Sequence, residues 1–334
     1  MTPPIALTLG DPAGIGPEIA LRAWAGLRQG PAFFLIGDLA HMAAAGARLG
    51  LPVRAIAEPS GAAAAMPDGL PVLEHPLPHP ATAGRPDPRN AAAVVAIIAR
   101  AVALAHAGQA LAICTNPIGK SVLKAGACFA FPGHTEYLAH LCGAAMPVML
   151  LAAPALRVVP VTIHIPLAEV PVALTPDLLE ATLRITGRGL ADDFGIRRPR
   201  LAVAGLNPHA GEAGTLGREE IETIVPVLDR LRAEGMAISG PHSADTLFHP
   251  AARARYDAAV CMYHDQALIP IKTLDFDGGV NVTLGLDIVR TSPDHGTAFD
   301  IAADFRASPA SLVAALGLAH ELGARRALSR AGAD

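Results

Sequence analysis

Along this chain, short apolar or β-branched runs alternate with longer stretches in which apolar residues recur every three or four positions. The short runs predict strands at 5–9, 33–36, 53–57, 111–114, 148–151, 158–163, 201–204 and 258–262. The longer stretches predict helices at 17–27, 90–106, 176–194, 218–234 and 308–322. Thr175-Pro176 supplies a hydroxyl cap followed by proline at the first helical position, a typical helix start. Alternation of this kind predicts an α/β protein with a mostly parallel sheet covered by helices. The Ala/Pro-rich stretch 58–89 reads as surface excursions around an edge strand. The polar, Gly-rich stretch 275–295 reads as long functional loops, too irregular for a core element.

Composition narrows the class. A chain of 334 residues, 51% hydrophobic and 17% charged, is built to fold, and its length suits one large or two medium domains. The net charge of −4, with no extended basic run, argues against nucleic acid or an anionic membrane as partner. The apolar stretches 91–99 and 146–156 are stopped by Arg100 and Arg157, short of the roughly 18–20 residues that span a bilayer. The start, Met1-Thr2-Pro3-Pro4, lacks a signal-peptide pattern. Cys114, Cys128, Cys142 and Cys261 are scattered and unpaired in pattern, and read as buried free thiols of a reducing cytoplasm. Only Lys120, Lys124 and Lys272 are lysines; the other 23 basic residues are arginines. A lysine kept in such a chain hints at a need for an ammonium group.

One local design occurs three times. The run 158–163 leads straight into His164, the run 201–204 leads through Gly205-Leu206-Asn207-Pro208 into His209, and 258–263 leads into His264-Asp265. Each histidine falls at or just past the carboxyl end of a buried strand, the edge where parallel sheets build their sites. Three imidazoles converging there would make a divalent metal site with open positions for substrate. An ordinary half-buried histidine is the plainer account of any one of them. Three at equivalent strand ends, each in a loop of Gly, Pro, Asn or Asp, outweigh it. His41, His75, His79, His106, His140 and His320 lack that context and read as surface or packing residues.

Other segments add chemistry. Gly10-Asp11-Pro12-Ala13-Gly14-Ile15-Gly16-Pro17-Glu18 follows the first strand and opens a helix, as an anion loop would, but fits neither GxGxxG nor a P-loop. A tight structural turn explains it equally well. In Phe131-Pro132-Gly133-His134-Thr135-Glu136 a turn meets a helix start, so His134 and Thr135 could face an anion, although capping alone would explain Thr135. Lys272, Asn281 and Arg290 supply charge and directional hydrogen bonds for a phosphate, with a solvated surface cluster as the alternative. Asp245 and Asp265 could orient the histidines or hold a substrate ammonium; helix capping fits Asp245 nearly as well.

Taken together these segments resemble the PdxA family of vitamin B6 biosynthesis, the 4-hydroxythreonine-4-phosphate dehydrogenases. The resemblance is carried by LTLGDPAGIGPEI (7–19), TNPIGK (115–120), PGHTEYL (132–138), VTIHIPL (161–167) and GLNPHAGEAGTLGREE (205–220). It continues in ADTLF (244–248), YDAAVCMYHDQALIPIKTLDFDGGVNVTLGL (256–286) and RTSPDHGTAFDIA (290–302). It implies a two-domain α/β/α subunit, non-Rossmann and similar to isocitrate and isopropylmalate dehydrogenases. Residues 1–130 plus 275–334 would form one domain and 131–274 the other, with the active site in the cleft between them. It also implies a homodimer whose active site lies at the subunit interface.

In family terms His164, His209 and His264 match the ligands of a divalent metal, for which zinc, magnesium and cobalt are all open. His134, Thr135, Lys272, Asn281 and Arg290 match substrate-binding positions. Asp294-His295-Gly296-Thr297 looks like the cofactor-side motif for NAD or NADP. The implied reaction oxidises 4-phosphohydroxy-L-threonine at C3 to a 3-keto acid, which decarboxylates to 3-amino-2-oxopropyl phosphate. The general base stays open between a bound water, His134 and Asp265. A paralogue oxidising 4-phospho-D-erythronate or 4-phospho-D-threonate would share these residues, as would a metal-dependent phosphometabolite-binding protein without catalysis. The chain departs from the family at Pro241-His242-Ser243-Ala244, at Leu286-Asp287-Ile288-Val289 (usually Leu-Pro-Phe-Ile), at Ala213 (usually Gly), and at Ala303-Asp304-Phe305-Arg306 in place of a Gly-rich turn. Asp287 lies close to Arg290 in sequence, where a new carboxylate could compete for the guanidinium.

Overall fold

A computed structural model describes residues 2–331 of the chain. Its strands are β1 (Ile5–Thr8), β2 (Phe33–Gly37), β3 (Val53–Ile56), β4 (Leu70–Glu74), β5 (Ile113–Thr115) and β6 (Val148–Ala153). They continue as β7 (Leu156–Pro160), β8 (Arg200–Ala204), β9 (Ala237–His242), β10 (Ala258–Cys261), β11 (Val280–Leu284) and β12 (Arg290–Pro293). Two compact units result: residues 2–147 with 286–331, and residues 148–285. The second unit therefore begins at Val148 where 131 was expected, and ends at Gly285 where 274 was expected. Packing explains both shifts. The helix His134–Leu141 lies against the helix Ala91–His106 of the first unit, and β11 pairs with β6 of the second.

In the first unit the strand order is β3-β4-β2-β1-β5-β12, all parallel. Helix Ala91–His106, with the turn before it, is apolar and long enough to cross a membrane. Its stripe of Ala93, Val94, Ile97, Ile98, Ala101 and Val102 is buried, however, and the helix packs on β1, β2 and β5, which makes it a core helix. The stretch 58–89 holds more than surface excursions. Leu70–Leu73 of β4 are buried, and β4 sits between β3 and β2.

The stretch 275–295 likewise proves not to be loop alone, since it contains β11 and β12. Strand β12 reads Arg-Thr-Ser-Pro and carries no aliphatic residue, yet all four positions are buried. Hydrogen bonds replace hydrophobic burial there: Thr291 Oγ1 donates to the Ala315 carbonyl at 2.9 Å, on the helix Ala310–Ala331.

In the second unit the order is β11-β6-β7-β10-β8-β9, with β6 antiparallel to both neighbours and the remaining pairs parallel. Leu151, Val158, Ala202, Ala259, Leu268 and Ile271 form part of its core. Cys261 pairs with Pro160, and Val260 with Val203, so β7, β10 and β8 run out at one level. The predicted helix 218–234 is a π-helical turn, Glu220–Ile224, running into the α-helix Val225–Ala233. Of the four cysteines, Cys114 and Cys261 are buried as expected, whereas Cys128 is exposed and Cys142 half-buried.

Candidate active site

The edge where β7, β10 and β8 end together carries His164, His264 and His209 on three adjacent loops. The loop to His164 is pinned to the exit of β10. The Val161 amide donates to the Cys261 carbonyl at 2.8 Å, and the Thr162 hydroxyl donates to the Met262 carbonyl at 2.8 Å. His164 itself has φ 53°, a left-handed conformation that a β-carbon disfavours. His264 opens the helix His264–Leu274, and its Nδ1 lies 2.7 Å from Asp265 Oδ1, an arrangement that leaves the Nε2 lone pair for a ligand.

His209 sits in the most unusual backbone of the chain. His209, Ala210, Gly211, Glu212 and Ala213 are all left-handed, with φ between 42° and 78°. Five such residues in a row cost several kcal/mol, at about 1–2 kcal/mol for each residue that is not glycine. They persist only where surroundings fix them. Glu220 does much of the fixing: it is buried, and its Oε1 accepts from the Asn207 amide at 2.8 Å while its Oε2 accepts from Asn207 Nδ2 at 3.0 Å. The buried Gln266 then ties two loops together. Its Nε2 donates to the Gly205 carbonyl at 2.8 Å, and its Oε1 accepts from the Met262 amide at 2.7 Å.

The rings of His164 and His264 are 5.7 Å apart, centroid to centroid. Both line a cavity of about 250 Å³ together with Tyr263 and Asp265. His209 lines a second cavity of about 350 Å³ with Asn207, Asp245, Tyr263 and Gln266. Tyr263 thus borders both. Within the single chain the three histidines do not bring their nitrogens within 4.8 Å of one another; among the described residues the one group that does so is His106, Cys142 and Asp287. The donor set still suits a borderline divalent cation: three imidazoles, one backed by a carboxylate. Asp245 joins His209 rather than His264. Its carboxyl is held below the usual range, first by the Ser243 hydroxyl, with His209 contributing. Lys272 lines a cavity of about 430 Å³ with His264, Asp265 and Phe276, and Asn281 on β11 keeps a buried Oδ1 without a hydrogen-bond partner.

The first unit holds a separate cationic cluster. Arg290 is buried on β12, with Nη2 donating to Thr115 Oγ1 at 2.7 Å, and burial pulls its pKa down to about 10. His134 is the first residue of the helix His134–Leu141. Burial, then the charges of Arg290 and Lys120, hold its pKa well below the ordinary imidazole value. Its Nε2 is buried without a partner. Thr135 follows in the same half-buried first turn, behind a Gly133 cap that has no side chain to satisfy the amides. Two cations beside a helix start, with Glu136 nearby and a ring nitrogen left unfilled, are chemistry that suits an anion. Lys120 and Thr115 were not among the expected site residues. The scarcity of lysine was the signal that could have found Lys120.

After β12, Asp294 donates its amide to Ser311 Oγ at 3.1 Å, and the Thr297 carbonyl accepts from the Ile15 amide at 3.0 Å. A β-carbon on Gly14 would lie 2.9 Å from that carbonyl, so glycine lets the Gly10–Glu18 turn dock on the 294–297 loop. His295 leaves Nε2 buried without a partner and Gly296 is open to solvent. The Gly10–Glu18 segment is buried throughout and Asp11 is spent on the Ala13 amide, so structure is the better account of that turn. Asp287 does not act as the feared competitor for Arg290: its carboxylate bonds His106 Nε2 at 3.0 Å and engages the Cys142 thiol.

Comparison with known proteins identifies the family. A profile of the pyridoxal phosphate biosynthetic protein PdxA family matches residues 30–319. The 4-hydroxythreonine-4-phosphate dehydrogenase of Paracoccus denitrificans is 58% identical over 97% of this chain and 98% of its own. That of Caulobacter vibrioides is 55% identical over 97% and 98%. Among solved structures, the 4-hydroxythreonine-4-phosphate dehydrogenase of Klebsiella pneumoniae superposes with a TM-score of 0.86 at 38% identity, covering 96% of this chain and 99% of that one. With the profile spanning most of the sequence and relatives matched nearly end to end, this chain belongs to the PdxA family of pyridoxal phosphate biosynthetic proteins.

Proposed function

We propose that the protein oxidises 4-phosphohydroxy-L-threonine at C3, with NAD or NADP as hydride acceptor, to a 3-keto acid that loses CO2 and leaves 3-amino-2-oxopropyl phosphate. The observation that carries this reading is the alignment of His164, His264 and His209 on three adjacent parallel strand ends, in a chain 58% identical to a dehydrogenase of that name. These three histidines would hold a divalent cation, which would supply Lewis-acid chemistry at the substrate's C3 oxygen. Because one chain leaves the three imidazoles in two cavities, the reading includes a homodimer in which the partner completes the site. Asp265 orients the His264 ring and fixes its tautomer.

Arg290, Lys120 and the first turn at His134 and Thr135 take the phosphate, and Lys272 and Asn281 are read as substrate-binding residues as well. A neutral His134 donates or accepts at Nε2 without adding a charge that the substrate would have to balance. The segment 294–297 supports the nicotinamide cofactor. Phosphate binding energy positions the reacting carbon, so substrates without phosphate lose turnover as well as affinity.

The test is a comparison of kcat/KM for 4-phosphohydroxy-L-threonine, 4-phospho-D-erythronate and 4-phospho-D-threonate, with divalent cation added back to chelator-treated enzyme. Preference for the amino substrate by about tenfold or more is expected. Preference for either amine-free acid would overturn the substrate assignment, and absence of both NADH and NADPH formation with all three would overturn the enzymatic one.

A further inference from the structure

We propose that His106, Cys142 and Asp287 form a second cation site, selective for late first-row divalent ions such as zinc, cobalt or nickel. The three residues come from separate elements: His106 ends the helix Ala91–His106, Cys142 caps the end of the helix His134–Leu141, and Asp287 lies in the turn before β12. Their ligand atoms all lie within 4.8 Å of one another, and His106 Nε2 is 3.0 Å from Asp287 Oδ2. Ligand atoms around a tetrahedral zinc stand about 3.3–3.8 Å apart, as bond lengths of about 2.0–2.3 Å require. The cluster therefore needs only small side-chain adjustments to close on an ion.

The donor types point the same way. One imidazole, one thiol and one carboxylate match a borderline-soft cation, whereas magnesium or calcium would call for oxygen alone. Two of the donors sit at helix C-termini, where exposed carbonyls favour positive charge. Arg326 is the nearby opposing cation, but its Nη1 is occupied in donating to the Leu286 carbonyl at 3.2 Å, and Arg330 donates to the Asp287 carbonyl at 2.7 Å. Those two bonds hold the turn so that the Asp287 side chain stays turned toward His106.

Binding is an exchange without redox change. The Cys142 thiol gives its proton to solvent as the sulfur–metal bond forms, His106 donates through Nε2, Asp287 through a carboxylate oxygen, and water completes the shell. The result ties two helix ends to the turn three residues ahead of Arg290, reinforcing the lead-in to the strand that carries it. None of the three residues takes part in the oxidation proposed above, so the two sites can fail independently.

The experiment is a cobalt(II) titration of the full-length protein carrying His209→Ala and His264→Ala, with the thiolate-to-cobalt charge-transfer band as readout. One equivalent per chain with that band is expected, because imidazoles alone cannot produce it. Cys142→Ser should abolish the band, His106→Ala and Asp287→Asn should weaken binding at least tenfold, and Cys128→Ser, at the other accessible thiol, should leave it unchanged. No band in the parent, or a band that survives Cys142→Ser, overturns the site. Should Cys142→Ser fail to fold by circular dichroism, His106→Ala on its exposed helix end decides the question, since undiminished cobalt affinity there also overturns it.

Discussion

The anion-type cluster and the histidine edge are built by opposite means. Arg290 is embedded in a strand, buried, and braced by Thr115 on the neighbouring strand. His164 and His209 stand on loops past their strands, exposed, on left-handed backbone. A phosphate is large and bears charge on several oxygens, so a fixed guanidinium and helix-end amides suffice to recognise it. An ion with short, directional bonds needs imidazoles placed to fractions of an ångström, and backbone strain held by a hydrogen-bonded frame is one way to place them.

The comparison makes graded predictions. Removing an edge histidine should be the larger blow: His209→Ala or His264→Ala is expected to lower kcat by on the order of 10³-fold, the scale of several kcal/mol of electrostatic stabilisation. A loss of under tenfold at saturating zinc or cobalt would break the assignment of that residue. Arg290→Lys keeps the charge but loses the fork and the Thr115 brace. It should reduce kcat/KM by about 30- to 150-fold, as expected for a charge-assisted bond pair worth about 2–3 kcal/mol, with KM carrying much of the change. An unchanged KM for phosphorylated substrate would remove Arg290 from the binding role. The smallest effect sharpens the idea of strain: Ala213→Gly, at φ 55°, should raise stability by about 1 kcal/mol in a denaturant titration while leaving kcat within about twofold. Destabilisation instead would mean that Ala213 is not strained.

How much of this was legible in the sequence differs between the same two regions. The histidines were readable because each follows a hydrophobic run, and β7, β8 and β10 are such runs. Strand β12 was not, because its burial rests on hydrogen bonds that Thr291 donates to Ala315 and Arg290 donates to Thr115, and it reads as polar loop. Strand β9, Ala237–His242, is half-exposed and carries Gly240-Pro241, which hides its period. The left-handed turn at His209–Ala213 contains a single glycine, so no backbone signal announced it; only the buried Glu220, thirteen residues past Asn207, accounts for it. Lys272 and Asn281 were legible as residues, while Lys120 emerged only once His134 placed it in a field of two cations.

The bond pair made by Gln266 has a consequence for how the histidine edge behaves in solvent. Carboxylates take up protons on the way down toward acid and amines release them on the way up, so a strut built from either would titrate. The amide of Gln266 does neither: it donates to Gly205 and accepts from Met262 in one protonation state across the whole accessible range. The cross-tie joining the β8 and β10 loops is therefore indifferent to acidity, and the chemistry of the rings can change while this strut of their scaffold does not.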